Sequence, residues 1–90
     1  MDALPSLEFP RRSPGLDIDA TDEGYIVYRP ELDRVHYLNP TAAVVLEFCT
    51  GENSIAEIAQ LAQHVFGLPV APDSVVREAI GKLRDEGLLQ

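Results

Sequence analysis

The sequence predicts an α+β fold, a winged helix-turn-helix in which a three-stranded antiparallel sheet precedes three helices. Two observations support this prediction. The first half of the chain carries three short segments of alternating, β-branched or aromatic residues, separated by turn-forming clusters. The second half carries two helix start signals, each followed by apolar residues at helical spacing. Helices can then cover the one apolar face of the sheet.

The three strand segments are "LDIDA" at residues 16–20, "YIVYR" at residues 25–29 and "RVHYL" at residues 34–38. The first alternates strictly between apolar and acidic residues, and the second is rich in residues that favour strands. The clusters "TDEG" and "PELD" separate them. Because both connections are short, the sequence predicts an antiparallel meander with the third strand at one edge.

The helices begin at recognisable caps. Asn39 is a good N-cap and Pro40 suits the first helical position, so the almost wholly apolar "TAAVVLEFC" should form a buried helix. Ser54 and Glu57 form an S-x-x-E capping box that opens the second helix. The third helix is expected over residues 72–87, with its core stripe at Val76, Ile80 and Leu83.

One domain is expected at residues 16–90, preceded by an extended arm at residues 1–15. Pro5, Pro10 and Pro14 prevent regular helix in the arm and disfavour a central-strand role. The arm is therefore predicted to be a partly ordered tail.

The formal net charge of −8 argues against both nucleic acid and anionic membranes as partners. A protein or peptide partner is expected instead. Cys49 is the one cysteine, which fits a cytoplasmic protein, and it is predicted to be a small apolar core residue rather than a nucleophile. His36 and His64 are not at metal-ligand spacing, so neither a metal nor another cofactor is predicted.

Four segments in order resemble one family. They are "PRRSPGL", "LNPTAA", "TGENSIAEIAQLA" and "LRDEGLL", which together span residues 10–89. The chain resembles the PqqD-like proteins, which are small peptide chaperones also called RiPP recognition elements. The resemblance implies a non-enzymatic adaptor. Such a protein binds the leader segment of a ribosomally made precursor peptide as an added β-strand and presents it to a modifying enzyme, commonly a radical enzyme or a cyclase.

The residues themselves favour the same mechanism. An edge strand offers unpaired N–H and C=O groups to any extended peptide, and "RVHYL" has no proline or glycine to interrupt that edge. The third helix should provide the second wall, through the flank that is not wholly buried. The predicted peptide-binding residues are Arg34, Val35, His36, Tyr37 and Leu38 on the strand and Val75, Ala79 and Lys82 on the helix.

Two alternatives remain. Many winged helices bind DNA through their third helix, but here Arg77, Lys82 and Arg84 are outnumbered by the acidic residues Asp73, Glu78, Asp85 and Glu86. An edge that accepts a foreign strand can also accept a second copy of the chain, so a homodimer is the other partner that the sequence allows.

Overall fold

The computed structural model describes residues 9–90 and confirms the predicted α+β arrangement, with the sheet preceding the helices. A single 3₁₀ turn, Pro30–Leu32, connects the second and third strands. The elements in chain order are β1 (Asp17–Thr21), β2 (Gly24–Arg29), β3 (Arg34–Leu38), α1 (Pro40–Phe48), α2 (Ile55–Phe66) and α3 (Asp73–Asp85).

The sheet is antiparallel in the order β1-β2-β3, so β2 is its centre. Val27 at the middle of β2 is fully buried and lies opposite Ile18 of β1 and His36 of β3. Within residues 9–90, β3 pairs only with β2. The outer edge of β3 is therefore not occupied by any described part of the chain.

Helix α1 is the buried helix, as the sequence predicts. The Asn39 side chain accepts a hydrogen bond from the Ala42 N–H at 2.8 Å, and Pro40 follows the cap. Val45 and Leu46 are fully buried between the sheet and the other helices. Since β3 ends at Leu38 and α1 begins at Pro40, the cap fixes α1 directly beside the end of the edge strand.

Helices α2 and α3 complete the core. The capping box is present: Ser54 accepts from the Glu57 N–H at 3.1 Å, and Glu57 accepts from the Ser54 N–H at 2.7 Å. Helix α3 buries the predicted stripe of Val76, Ile80 and Leu83. One flank of α3 is left open toward β3.

Residues 10–13 of the predicted arm pack against the rest of the domain. Pro10 is buried, and backbone hydrogen bonds join this segment both to the end of α1 and to residues 88–90. The four bonds run from Arg12 N to Cys49 O, Gly51 N to Pro10 O, Ser13 N to Leu88 O and Gln90 N to Arg11 O, at 2.8–3.0 Å. Residues 1–8 of the predicted arm lie outside the described residues. The boundary between residues 15 and 16 stays a prediction.

Candidate functional site

A groove of about 340 Å³ lies between the end of β3, the first turn of α1 and the open flank of α3. This volume falls at the lower end of the range for ligand pockets. One wall has Tyr37, Leu38, Asn39, Thr41 and Ala42, and the other has Val75, Glu78, Ala79, Lys82, Leu83 and Glu86. The α3 wall covers twelve residues from Val75 to Glu86, a rise of about 16 Å, which matches about five residues of extended chain.

The groove brings together five of the predicted residues and leaves three outside. Tyr37, Leu38, Val75, Ala79 and Lys82 line it. The other three, Arg34, Val35 and His36, belong to the same edge strand but lie nearer the β2–β3 hairpin.

The side chains of β3 alternate between two environments. Val35 is 48% exposed and Tyr37 is 79% exposed, whereas Leu38 is buried and the His36 side chain is only 11% exposed. Hydrogen-bonding direction alternates with the same two-residue period in an antiparallel sheet. Backbone N–H and C=O groups therefore point away from β2 at one of two alternating sets of residues. One set is Val35 and Tyr37, and the other is Arg34, His36 and Leu38. Two or three residues of β3 therefore have backbone groups available at the edge.

His36 joins the sheet to the end of α3. Its Nδ1 lies 3.5 Å from Glu86 Oε1, and its Nε2 is buried with no hydrogen-bond partner among residues 9–90. Arg29, on the neighbouring strand, donates a hydrogen bond from Nη1 to the carbonyl oxygen of Gly87. These contacts hold the inner face of the hairpin against the two residues that follow α3, so the two walls of the groove are tied together at this end.

Three charged side chains mark the α3 wall. Glu78, Lys82 and Glu86 are all exposed, and each is four residues from the next. Of these three residues, only Lys82 was predicted from the sequence to bind peptide. The two glutamates were missed, although their spacing from Lys82 placed them on the same helical face. Thr41 and Ala42 could not be assigned to the groove from the sequence, because their place in it depends on how α1 packs against α3.

Among the described residues there is no cluster that could hold a metal ion, and the one cysteine is buried as a neutral thiol. No three His, Cys, Asp or Glu side chains converge within residues 9–90. Cys49 is fully buried, and this burial raises the pKa of its thiol to about 11. A buried neutral thiol is a poor nucleophile. No described helix is both long and apolar enough to cross a membrane.

Two tyrosines are hydrogen-bonded to carboxylates. The Tyr25 hydroxyl donates to Glu47 Oε1 at 2.6 Å, and this bond, together with burial and the nearby negative charge, raises the pKa of Tyr25. Tyr28 donates to Asp33 Oδ1 at 3.1 Å, which likewise raises the pKa of Tyr28. Both hydroxyls thus donate to a carboxylate, which favours their protonated form. Neither residue lines the groove described above.

The basic residues of α3 do not form one surface. Arg77 and the half-buried Arg84 are seven residues apart and share one flank of α3, whereas Lys82 lies on the groove between two glutamates. A DNA-recognition helix needs a clustered positive face to bind phosphates. The arrangement gives no support to the DNA-binding alternative.

Comparison with known proteins agrees with this architecture. The family model described as coenzyme PQQ synthesis protein D (PqqD) matches residues 24–89. A solved structure described as lasso peptide synthetase B1 complexed with the leader peptide has the same fold, with a TM-score of 0.73 and 20% sequence identity. That similarity covers 91% of this chain and 98% of the other. No curated protein sequence matches. Since the family model matches well over half of the chain, from the start of β2 to Leu89, the chain belongs to the PqqD family.

Proposed function

We propose that this chain binds the leader segment of a precursor peptide as an additional strand on β3 and presents it to a modifying enzyme. The observation that carries the proposal is the outer edge of β3, which no described strand covers and which lies beside a groove. The structurally similar lasso peptide synthetase B1, which was solved with a leader peptide, supports the same role.

Backbone pairing and side-chain contact have separate roles in this proposal. The outward N–H and C=O groups of β3 supply hydrogen bonds that depend little on the peptide's sequence. Val75 is 47% exposed, and the half-buried Ala79 is small enough to admit a bulky apolar side chain beside it. Lys82 supplies a positive charge for a leader carboxylate. The residues proposed to bind the peptide are Arg34, Val35, His36, Tyr37, Leu38, Val75, Ala79 and Lys82.

The proposed role assigns no reaction to the chain itself. The chemistry belongs to a second protein, such as a radical enzyme or a cyclase, that acts on the captured peptide in the cytoplasm. A homodimer paired through β3 would use the same edge. Peptide binding and self-association should therefore compete, and light scattering with and without peptide would detect that competition.

The groove is tested by two substitutions on its α3 wall. A synthetic leader peptide, taken from a precursor gene next to the protein's own gene, is titrated by calorimetry into wild type, Val75→Glu and Ala79→Arg. Covering the exposed half of the Val75 side chain with a peptide contributes about 1 kcal/mol to the binding free energy. Burying the charge that either substitution introduces under the peptide costs more than that. Each variant should therefore bind at least about tenfold more weakly. Val75 is exposed and Ala79 is only half-buried, so both positions should accept a polar side chain in the free protein, and a thermal melt of each variant checks this.

Two control variants introduce the same residues away from the groove. Gly81→Arg lies on α3 where a built Cβ meets no described atom within 4 Å, and Val70→Glu lies in the loop before α3. Both should bind like wild type. In wild type, NMR titration should shift the amides of β3 more than those of β1. Unchanged affinity in both groove variants, or a peptide footprint on β1, would contradict the assignment.

A further inference from the structure

The charges on the α3 wall form a regular series. Glu78, Lys82 and Glu86 alternate in sign and line the same groove. Within the part of the chain that the structure describes, Lys82 has no carboxylate within 4 Å, so neither glutamate neutralises it directly. Glu86 approaches His36 at 3.5 Å, and Glu78 makes no ion pair with a described residue.

This series has nearly the same repeat as a β-strand. Four residues of helix advance about 6.0 Å, and two residues of strand advance about 6.6–6.8 Å. A peptide that pairs with β3 and follows the groove along α3 directs every second side chain toward the α3 wall. Over two intervals the mismatch is only about 1–2 Å, which long charged side chains can span. Three alternate peptide residues can therefore meet the three charges in order.

We infer that the groove selects a leader segment with the pattern basic-x-acidic-x-basic, its outer charges paired with Glu78 and Glu86 and its central carboxylate with Lys82. This inference rests on the proposed binding of peptide to β3 and adds the charge pattern of the ligand. The reverse pattern would place like charges together at all three positions, which is an effective means of rejecting a peptide. The net charge of −8 further favours encounter with basic segments.

The experiment does not require the sequence of the natural leader. A displayed library of random peptides, about 12 residues long and so longer than the groove, is selected on immobilised wild type. The same library is selected on a triple variant, Glu78→Lys, Lys82→Glu and Glu86→Lys. Wild type should enrich basic-x-acidic-x-basic, and the triple variant should enrich acidic-x-basic-x-acidic. All three positions are exposed, but Glu86→Lys also removes the contact with His36. Circular dichroism and a thermal melt therefore check that the triple variant is folded before selection.

A control separates local charge from net charge. In the triple variant the two glutamate substitutions change the net charge by +4 and the Lys82 substitution changes it by −2, so the formal net charge goes from −8 to −6. Asp85→Lys produces the same −6 at an exposed residue outside the groove and should enrich the wild-type pattern. For one synthetic peptide from the wild-type pool, each single charge reversal in the groove should weaken binding about three- to tenfold at low salt. The difference should largely vanish near 1 M salt, where the Debye length is about 3 Å.

The outcomes distinguish this inference from the proposed function. If wild type enriches no peptides, or if the enriched peptides shift amides away from β3, the proposed function fails and the charge pattern fails with it. If the peptides bind at β3 but carry no alternating charge, or if the triple variant selects the wild-type pattern, the inference is overturned while strand addition stands.

Discussion

Replacing Arg12 with alanine is expected to destabilise the fold, although Arg12 lies outside the three strands and the three helices. Its Nη1 donates to the carbonyl oxygens of Glu47 at 3.1 Å and Leu46 at 3.4 Å, in the last turn of α1. The last carbonyls of a helix lack partners within it, and a positive charge there is favourable. The last turn of α1 has no basic residue of its own. Arg12 supplies that charge from 34–35 residues away.

The size of the effect follows from these contacts. A hydrogen bond from a charged donor contributes about 1.5–3 kcal/mol when well buried, and a charge at a helix end contributes about 0.3–1 kcal/mol. The bond to Glu47 is solvent-exposed, so the lower part of the range applies. Arg12→Ala should lower the free energy of unfolding by about 1–2 kcal/mol. For a domain of this size that corresponds to a fall in Tm of about 4–8 °C per kcal/mol.

Urea denaturation and calorimetry measure both quantities. Arg11→Ala is the matched control, because it removes the same charge from the adjacent residue and keeps the backbone bond to Gln90. Among residues 9–90 the Arg11 side chain donates no hydrogen bond, unlike that of Arg12. If the two alanine variants were equally stable, the contacts of Arg12 with α1 would contribute nothing, and the reasoning would be refuted.

Two further predictions concern backbone geometry and pH. Gly24→Ala should lose at least about 2 kcal/mol of stability, because φ is +134° there and an added Cβ would overlap the Leu38 carbonyl oxygen. Gly81→Ala, which meets no described atom within 4 Å, should gain up to about 1 kcal/mol in the same urea experiment. Burial raises the pKa of Cys49 from 9.0 to about 11, so the folded state favours the neutral thiol. The resulting contribution to the free energy of unfolding is fully present below pH 9 and is lost as the pH rises toward 11. The free energy of unfolding should therefore fall less in the Cys49→Ala variant than in wild type when the pH is raised from about 8 to about 10.5. An equal fall in the two proteins would contradict this prediction.

Local patterns in the sequence predicted most of the fold. The strand predicted at residues 16–20 is observed at Asp17–Thr21, and Asn39 and Ser54 cap their helices as expected. These features depend only on residues a few positions apart, so they can be predicted from a single sequence. The packing of residues 10–13 was not predictable in this way, because their hydrogen-bond partners are Cys49, Gly51 and residues 88–90.

The candidate site was predicted in part for the same reason. Helical angles identified Val75, Ala79 and Lys82 as one flank of α3, and all three line the groove. The inward orientation of His36 toward Glu86 was not foreseen, since it depends on how the hairpin packs on α3. Whether β3 binds a peptide stays a prediction, because an unpaired edge is a property of the fold and its use depends on the partner.

The backbone bond between Gln90 and Arg11 has a practical consequence for protein engineering. Because residues 11 and 90 lie side by side, we expect that residues 10–90, which keep the bond from Gly51 N to Pro10 O, can be inserted into a surface loop of a host enzyme through two short connectors. A circular permutant joined across the same gap should also be attainable. Under the proposed function, such an insertion would give the host enzyme a peptide-binding strand edge at a chosen surface position.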